Sequence, residues 1–422
     1  MKISIAEAMA EGPDRVALVS LEGSWTYAEL ANKVARRAQA LPTVPWRAVA
    51  AHRTPDAVIE MLACVEAGIP FVPTNPKLTS DRQPLPATPL SFDERILALV
   101  PTSGTTGQPK LVALSHRAFI ASAQMNAANL GARDDDRWLL CMPLWHVGGL
   151  SILSRAVLAR ACVVLAPEGS FDAQTVLSMC EEHRVTLLSV VPTMLERLLD
   201  ASRDQPPPSA VRAVLVGGAH VPDVVLDRAD RAGWPVLTTY GLTEACSQVV
   251  TQIPGEPRRG VGKPLPGVQV RIRDGVIDVC GPSLMSGYVP GDAQPFLDDG
   301  WFPTGDVGKL DDAGYLHVLG RKDDRIITGG ENVDPVAVEN ELLRCPGVTA
   351  ACVFGIPDTH FGQRIAAALV GNYDDATLAN HIQTRLAPHE RPRSITRVNS
   401  LPCRANGKLD RGVFRSESVV RP

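Results

Sequence analysis

Short runs of Val and Leu alternate with stretches of helical spacing through the first 240 residues, and this alternation restricts the fold more than any other feature. The apolar runs are bounded by Gly, Pro or Ser and lie at 97–101, 162–166, 185–191, 211–216 and 236–240. Apolar residues recur at helical spacing within 26–41, 116–129 and 172–183. The first of these helices carries Thr26 and Glu29 in capping-box positions. Strands that alternate with helices predict an α/β sheet.

The pattern changes beyond about residue 255. The segments become short and are separated by turns rich in Gly, Pro and Asp, such as RDG, DDG and DDAG. This composition is typical of a β-rich region. A charged stretch, GRKDDR, follows at 320–325, and Asp334 and Pro335 then provide the cap and first turn of a new helix.

The last hundred residues have a pattern of their own. Strand-like runs occur at 349–354 and 364–370, and a helical pattern follows at 376–386. We therefore predict two domains. A large N-terminal domain, residues 1–320, contains α/β sheets and a β-rich subdomain, and a small α+β domain spans residues 321–422.

Composition excludes several other classes of protein. A chain of 422 residues that is 45% hydrophobic can bury a large core without disulfides. A net charge of −4 provides no basic field for nucleic acid or an anionic membrane. Nine irregularly spaced cysteines, without a CxxC pair or zinc spacing, indicate reduced thiols. The N-terminus is too polar for a signal peptide and no apolar run reaches the roughly 18 residues of a membrane span, so we expect a cytoplasmic protein.

The most informative segment is TSGTTGQPK at residues 102–110. Gly104 and Gly107 allow backbone N–H groups to turn inward. Hydroxyl and ammonium groups add further donors from Ser103, Thr105, Thr106 and Lys110. A loop so rich in donors, placed after a strand, suits a polyphosphate.

A Walker A loop, GxxxxGK[ST], is the obvious alternative, and it does not fit. Counted from Gly104, Pro109 takes the place of its second glycine and Leu111 follows the lysine. The segment LVAL then predicts a strand, with Ser115 as the cap of the next helix, whereas a Walker A loop leads directly into a helix.

The nine residues resemble the phosphate-binding signature of the adenylate-forming superfamily, which comprises acyl-CoA synthetases, luciferases and non-ribosomal peptide adenylation domains. Its other signatures occur in the family's order as PLWH at 143–146, GGA at 217–219, YGLTE at 240–244, WFPTGD at 301–306, GRKDD at 320–324, GGENV at 329–333 and NGK at 406–408. The resemblance spans residues 24 to 412. It implies an enzyme that uses ATP, CoA and Mg²⁺.

Such enzymes work in two half-reactions. A carboxylate attacks the α-phosphorus of ATP to give an acyl-adenylate and pyrophosphate, and a thiol then displaces AMP. Because two anions meet in the first step, cations and N–H donors are needed around the phosphorus. The chain has 34 Arg but only 8 Lys, and a compact ammonium group is not interchangeable with a planar guanidinium. The resemblance implies that Lys408 bridges the α-phosphate and the substrate carboxylate.

The resemblance also implies the nucleotide site. Phosphate contacts are expected from Ser103, Gly104, Thr105, Thr106, Gly107 and Lys110. Adenine and ribose contacts are expected from Gly217, Gly218, Ala219, Tyr240, Gly241, Asp306 and Arg321. Tyr240 would stack on adenine, and Asp306 would accept from ribose hydroxyls. Thr243 would bond the α-phosphate, and Glu244 would hold Mg²⁺.

The second half-reaction is expected to use the C-terminal domain. In the family this domain rotates about a hinge between the two half-reactions, and Asp323 matches the hinge position. A hinge absorbs a large change of φ and ψ in a few residues. Gly329 and Gly330 would line a narrow channel for the pantetheine arm of CoA.

The region around the acyl site resembles one subfamily, the 2-succinylbenzoate–CoA ligases of menaquinone biosynthesis. The residues that carry this resemblance are PLWHVGGLSIL at 143–153 with Arg155, and YGLTEACSQVVT at 240–251. The substrate of that subfamily has a second carboxylate, which requires a cation or donors in the pocket. The expected substrate contacts are His146, Gly149, Arg155, Ser247 and Gln248. The resemblance also implies that His146 is a catalytic residue together with Thr243 and Lys408. Arg155 is the only cation between His146 and Arg160, in an otherwise apolar stretch.

Three alternatives stay open at this point. The chain could be another aryl or acyl acid–CoA ligase, for benzoate or anthranilate, or an adenylating enzyme that loads a carrier protein. It could also be a nucleotide-binding homologue without turnover, which the presence of Thr105, Glu244, Asp306 and Lys408 argues against. Trp145 replaces the Phe usual in the subfamily, and the chain is shorter than most members before the phosphate loop. The sequence leaves open whether the chain forms a homo-oligomer.

Overall fold

The structure is a computed structural model, and it describes residues 3–79, 85–86, 92, 95–102, 110–291, 294–402 and 409–415. The helices are α1 (Ile5–Glu11), α2 (Tyr27–Gln39), α3 (Pro55–Ala67), α4 (His116–Leu130), α5 (Val147–Ala159), α6 (Ala173–Glu182), α7 (Pro192–Ala201), α8 (Asp223–Arg231), α9 (Pro335–Leu343), α10 (Asp375–Arg385) and α11 (Gly412–Arg415).

The strands of the first 290 residues are β1 (Val16–Ser20), β2 (Gly23–Thr26), β3 (Arg47–Ala50), β4 (Phe71–Thr74), β5 (Ile96–Thr102), β6 (Lys110–Ser115), β7 (Arg137–Leu140), β8 (Cys162–Leu165), β9 (Leu187–Val190), β10 (Ala213–Val216), β11 (Val236–Leu242), β12 (Ser247–Thr251), β13 (Lys263–Pro264), β14 (Gln269–Arg273), β15 (Val276–Cys280) and β16 (Gly287–Val289). The remaining strands are β17 (Phe302–Leu310), β18 (Leu316–Arg321), β19 (Ile326–Thr328), β20 (Glu331–Val333), β21 (Val348–Asp358), β22 (Gly362–Gly371) and β23 (Ser394–Arg397).

These strands form four sheets. A nine-stranded sheet has the order β13-β12-β11-β10-β9-β7-β8-β1-β2, and its central strands, from β11 to β1, are parallel. A five-stranded sheet has the order β16-β6-β5-β4-β3, and an antiparallel four-stranded sheet has the order β14-β15-β17-β18. The C-terminal sheet has the order β20-β19-β22-β21, with β23 also paired to β22. The predicted α/β fold with a β-rich part is therefore confirmed.

Local signals in the sequence set several of the helix boundaries. The capping box at the start of α2 forms as predicted, because the side chains of Thr26 and Glu29 each bond the other residue's backbone N–H. Ser115 ends β6 and caps α4. Its side chain accepts a hydrogen bond from the N–H of Ala118 in the first turn of that helix. Asp334 caps α9 in the same way, with Pro335 at the first helical position.

The strands change from one sheet to another between Arg321 and Ile326, and the division into two domains stays a prediction. β18 ends at Arg321 and belongs to the four-stranded sheet, whereas β19 begins at Ile326 and pairs only with C-terminal strands. A separate apolar core lies between the C-terminal sheet and helices α9 and α10. Between the two sheets lies one three-residue helical turn, Lys322–Asp324.

The parallel strands bring distant motifs to one edge of the nine-stranded sheet. The carboxyl ends of parallel strands meet at the same edge, where ligands bind in open α/β sheets. The segment before α5 follows β7, Gly217–Ala219 follows β10, and Thr243 follows β11. Three of the sequence motifs therefore converge on this edge. No helix in the described ranges is long and apolar enough to cross a membrane.

Candidate active site

Tyr240 and Asp306 form the centre of the predicted nucleotide site. The hydroxyl of Tyr240, near the end of β11, donates a 2.7 Å hydrogen bond to Oδ2 of Asp306 on β17. Nε of Arg321 lies 3.1 Å from Oδ1 of the same carboxylate. Asp306 and Arg321 are paired across β17 and β18, so the sheet register fixes their approach. Burial, followed by the charge of Asp306, raises the pKa of Tyr240 well above its usual value.

Asp306 is held further by the backbone around it. Its N–H donates to Oγ1 of Thr304 at 3.1 Å, and Arg321 Nη1 donates to the Thr304 carbonyl at 3.0 Å. This arrangement gives a carboxylate with a fixed orientation, as an acceptor for two ribose hydroxyls requires. Tyr240 is only 9% exposed, with its ring in the main apolar core. The structure thus assigns Tyr240 a role in holding Asp306, and its stacking on adenine stays a prediction.

Lys110 and Glu244 both contact Tyr288. Nζ of Lys110 lies 5.0 Å from the centre of the Tyr288 ring, within the range of a cation–π contact. The Tyr288 hydroxyl donates to Oε1 of Glu244 at 3.0 Å. Lys110 begins β6 directly after the phosphate loop, whereas Glu244 lies in the helical turn Thr243–Ala245. The motifs at residues 102–110 and 240–244 are therefore adjacent in space.

Glu244 suits a magnesium ion that is shared with phosphates. Protein sites for nucleotide-bound Mg²⁺ use one or two carboxylates and leave the other positions to phosphate and water. The described residues contain no group of three or more His, Cys, Asp or Glu that could hold a metal ion by themselves. One oriented carboxylate beside Lys110 fits the first arrangement, and Thr243 precedes it in the same turn.

The backbone conformation and packing explain why residues 217 and 218 of the GGA segment are glycines. A Cβ on Gly217 would lie 2.8 Å from the carbonyl oxygen of Thr239, so only glycine fits between β10 and β11. Gly218 has φ of +82°, in the region that favours glycine. Gly218 and Ala219 are exposed at the end of β10. Their position leaves a flat stretch of backbone at the edge of the sheet, and contact with adenine stays a prediction.

The chain bends sharply between β11 and β12. Cys246 and Ser247 both have positive φ, at 52° and 96°. This bend brings the Ser247 carbonyl oxygen to 1.8 Å from the position of a Cβ on Gly241, which explains the glycine in YGLTE. Gly241 therefore has a packing function, and a direct contact with nucleotide is not needed to explain it.

Two predicted substrate residues lie at the beginning of α5. His146 is the residue before the helix, and its ring lies 6.0 Å from that of Trp145. A Cβ on Gly149 would lie 2.3 Å from the carbonyl oxygen of Pro143, so glycine lets the first turn of the helix rest on the PLWH backbone. Both residues stand at the same sheet edge as Thr243.

Arg155 lies on the buried face of α5. It is 4% exposed, so it does not extend to the surface. Nη2 donates to the Ser247 hydroxyl at 3.2 Å, and the guanidinium lies 5.7 Å from the centre of the Trp138 ring. Its Nε is buried without a hydrogen-bond partner among the described residues, and burial lowers the pKa of the guanidinium to about 10. Among the described residues, the buried guanidinium thus has a hydroxyl and a ring as neighbours, and its role as a substrate contact stays a prediction.

The hydrogen-bond partners of Gln248 differ from those that the sequence predicts. The sequence suggests it as a donor to substrate, but its amide nitrogen bonds Thr239 Oγ1 at 3.2 Å and Thr251 Oγ1 at 3.1 Å. Its oxygen accepts from Asn126 Nδ2 at 2.7 Å. Both amide protons are therefore used inside a buried network that joins α4, β11 and β12. Ser247, by contrast, contacts Arg155 as a member of the predicted pocket would.

The predicted hinge and CoA-channel residues lie in turns of the chain. Asp323 is exposed in the turn Lys322–Asp324 that joins the two parts of the chain. Gly329 and Gly330 have φ of 59° and 87° and form the two-residue turn of the β19–β20 hairpin. Positive φ at both turn positions is the reason for the glycines. The roles of these residues as hinge and CoA channel stay predictions.

Some predicted residues lie outside the described part of the chain. They are Ser103, Gly104, Thr105, Thr106, Gly107 and Lys408. The strand–loop–strand order around the loop is nevertheless confirmed, because Thr102 and Lys110 are paired across β5 and β6. The sequence interpretation missed Tyr288 and Trp138. Tyr288 is one of only five tyrosines, but no motif marks it.

Comparison with known proteins defines the class. The model of the AMP-binding enzyme family matches residues 5–84 and 83–289, and the model of the AMP-binding enzyme C-terminal domain matches residues 337–408. The chain belongs to the AMP-binding, adenylate-forming enzyme family, as its motifs predict.

Individual relatives point to one subfamily. The chain is 35% identical to a 2-succinylbenzoate–CoA ligase of Bacillus pumilus over 97% of this chain and 96% of the relative. It is 40% identical to the enzyme of that name from Bacillus licheniformis over 74% of this chain and 68% of the relative. Bacillus subtilis o-succinylbenzoate CoA synthetase, solved with the acyl-adenylate intermediate OSB-AMP, superposes with a TM-score of 0.89 at 30% identity, covering 100% of this chain and 99% of that one. ATP-bound MatB from Rhodopseudomonas palustris gives 0.88 at 27% identity, with 98% of each chain covered.

Proposed function

We propose that this protein is an ATP-dependent 2-succinylbenzoate–CoA ligase. In the first step a substrate carboxylate oxygen bonds the α-phosphorus of ATP while the bond from that phosphorus to the β-phosphate oxygen breaks, and pyrophosphate leaves. In the second step the sulfur of CoA bonds the acyl carbon, the thiol gives up its proton, and AMP leaves. The family membership and the relatives' names support this reaction.

The described residues divide the work of the first step. Asp306, oriented by Tyr240 and Arg321, accepts from the ribose hydroxyls and fixes the nucleotide. Lys110 and Glu244, which both contact Tyr288, would act on the phosphates. Mg²⁺ at Glu244 would neutralise charge on the phosphates. Lys408 would neutralise charge between the two reacting anions, which is where most of the rate enhancement in phosphoryl transfer originates.

The buried guanidinium of Arg155 is the observation that carries the choice of substrate. Burying a cation without a carboxylate partner costs several kcal/mol, about the penalty expected for an incompletely compensated ion. None of the ion pairs among the described residues includes Arg155. A substrate with a second carboxylate would provide the missing partner, and the Ser247 hydroxyl beside Arg155 would add a donor. A benzoate-type acid would leave the guanidinium uncompensated.

A screen of pyrophosphate release tests this assignment. The purified protein is given ATP, Mg²⁺ and one of four acids: 2-succinylbenzoate, benzoate, anthranilate or a medium-chain fatty acid. We expect release with 2-succinylbenzoate to exceed that with each other acid by at least about 100-fold in kcat/KM, the effect of one desolvated charge pair. Thioester formation should require CoA. Equal rates with benzoate would exclude the proposed substrate, and release with none of the acids would exclude catalysis of this kind.

A further inference from the structure

Arg411, three residues after Lys408 in the sequence, forms a largely buried ion pair with Glu339 in the C-terminal domain. Nη2 of Arg411 contacts Oε2 of Glu339 at 2.6 Å and Oε1 at 2.8 Å. The side chains are 16% and 9% exposed. Both contacts are made by this one nitrogen, so the carboxylate fixes one end of the guanidinium and leaves its other nitrogens for further partners.

Glu339 and Arg411 also form hydrogen bonds with the backbone of β21, a strand at the edge of the C-terminal sheet. Val353 lies on β21, which pairs only with β22 among the described strands. Its N–H donates to Oε1 of Glu339 at 2.7 Å, and its carbonyl accepts from Nε of Arg411 at 3.2 Å. Both polar groups of one edge residue are thus satisfied by the ion pair. Arg411 is therefore joined to α9 and to β21 at once.

The chain on either side of Lys408 is anchored at this place. The N–H of Asp410 donates to the carbonyl of Pro402 at 2.8 Å, which closes the backbone around the intervening residues. Leu401 and Leu409 pack on the apolar cluster of β21 and β22, where Phe414 stacks on Phe354 with ring centres 5.2 Å apart. Arg411 is three residues from Lys408 in the sequence, and three residues of extended chain span at most about 11 Å.

Helix α9 connects this anchor to the N-terminal part. Asn340, the residue after Glu339, has its Oδ1 2.9 Å from Nε2 of His220. His220 directly follows the exposed Gly218 and Ala219 at the end of β10. Arg344, the residue directly after this helix, pairs with Asp223 at 2.8 Å. The helix that holds Arg411 therefore also contacts the loop at the predicted nucleotide site.

We infer that Arg411, held by Glu339, is a positioning residue for Lys408 in the adenylation half-reaction. This inference rests on the proposed function, which assigns Lys408 to the first step only. Arg411 fixes the end of the segment that carries the lysine, and α9 sets this segment against the N-terminal site. Loss of the two-point contact would leave the lysine present but misplaced, which slows the step that needs it.

The variant Arg411→Lys tests the inference because it keeps the charge but has a single nitrogen. It therefore loses the two-point contact in which Nη2 bonds Glu339 while Nε bonds the Val353 carbonyl. We expect pyrophosphate release with the preferred acid to fall by about 10- to 100-fold, the range that a misplacement of about 1 Å produces. Thioester formation from supplied acyl-adenylate and CoA should change by less than about 2-fold. Arg397→Lys is the matched control, because Arg397 lies on β23 and bonds Tyr373 and Asp375 at the surface. It should leave both half-reactions unchanged.

A double-mutant cycle separates positioning from a general structural role. If Arg411 acts through Lys408, adding Arg411→Lys to Lys408→Ala should cause no further loss of adenylation. An equal loss in both half-reactions, or a further loss in the double variant, would overturn the inference. If Lys408→Ala itself adenylates normally, the proposed role of the lysine fails instead.

Amide exchange gives a readout that does not depend on turnover. The Asp410 N–H should exchange faster in Arg411→Lys than in the parent and in Arg397→Lys, while thermal unfolding reports the folded fraction. Unchanged exchange would overturn the inference whatever the activity. Should Arg411→Lys not fold, Glu339→Gln removes the carboxylate that Nη2 of Arg411 contacts and takes its place in each measurement.

Discussion

The hydroxyl of Tyr240 donates a 2.7 Å hydrogen bond to Oδ2 of Asp306, across a separation of 66 residues in the sequence. This bond connects the end of β11 in the nine-stranded sheet with β17 in the β-rich part. The bond joins the motifs YGLTE and WFPTGD and fixes the orientation of the Asp306 carboxylate. The carboxylate therefore depends on a residue that the sequence assigns to another task.

Tyr240→Phe should weaken ATP binding while leaving the aromatic ring in place. We expect KM for ATP to rise by about 5- to 10-fold, since a hydrogen bond to a charged group contributes about 1.5–3 kcal/mol and the Arg321 contact remains. KM for the acid should change little. Tyr315→Phe is a matched control, because it removes a similar bond to Glu256 elsewhere. An unchanged KM for ATP would show that Asp306 does not need Tyr240.

Lys408→Ala should separate the two half-reactions. We expect adenylation to fall by at least about 100-fold, because the charge between two reacting anions is lost. Conversion of supplied acyl-adenylate to thioester should be largely spared. Pyrophosphate release and thioester absorbance measure the two steps. Lys309→Ala, an exposed lysine on β17, serves as the control. Normal adenylation by Lys408→Ala would refute the assigned role.

Asp323→Pro should have the opposite effect. Proline fixes φ near about −65° in the exposed turn Lys322–Asp324 and thereby restricts rotation of the C-terminal domain. We expect adenylation to continue and thioester formation to stop. Asp323→Ala removes the carboxylate without restricting the backbone, so it should retain both activities. Thioester formation at the parent rate in the proline variant would count against the hinge.

Arg155→Leu should weaken binding of 2-succinylbenzoate and raise the stability of the folded protein. KM for 2-succinylbenzoate should rise by about 10- to 100-fold, and KM for benzoate should change much less. The midpoint of thermal unfolding should rise, because a buried cation is replaced by an apolar side chain.

Arg212→Leu is the contrasting variant, since Arg212 Nε bonds the buried Asp136 at 2.7 Å. That change leaves a buried carboxylate uncompensated and should cost about 3–5 kcal/mol. Equal effects on both acids would remove Arg155 from the pocket.

Two helix caps should give opposite dependence of stability on pH. Burial raises the pKa of Asp334, the cap of α9, from 3.8 to about 6. Its folded state holds the proton more tightly than the unfolded state does, so stability falls as pH rises from about 4 to 6. Asp334→Asn should flatten this slope and stabilise the protein at pH 7, as urea unfolding measures.

The cap of α10 provides the control. The N–H of Thr377 lowers the pKa of Asp374, so that its contribution is present at neutral pH and lost as pH falls below about 4. Asp374→Asn should therefore destabilise at pH 7 and have little effect in acid. The same sign of effect for both variants at pH 7 would contradict this assignment.

Local patterns in the sequence predicted much of the fold. The capping box at Thr26, the caps at Ser115 and Asp334, and the strand–loop–strand order at residues 96–115 all depend on nearby residues, and all are confirmed. The ordered motifs likewise identified the family, because glycine, hydroxyl and charged residues at fixed spacing reflect the same chemistry in each member.

Partners distant in sequence were decided only by the tertiary structure. Nothing near Tyr240 indicates that its hydroxyl meets Asp306, and nothing near Gln248 indicates that Asn126, Thr239 and Thr251 use its whole amide. The surroundings of Arg155 also depend on where α5 lies against β7 and β12. A sequence determines which groups a residue can offer. Which groups they meet, and whether water or protein surrounds them, follows from how the sheets and helices pack.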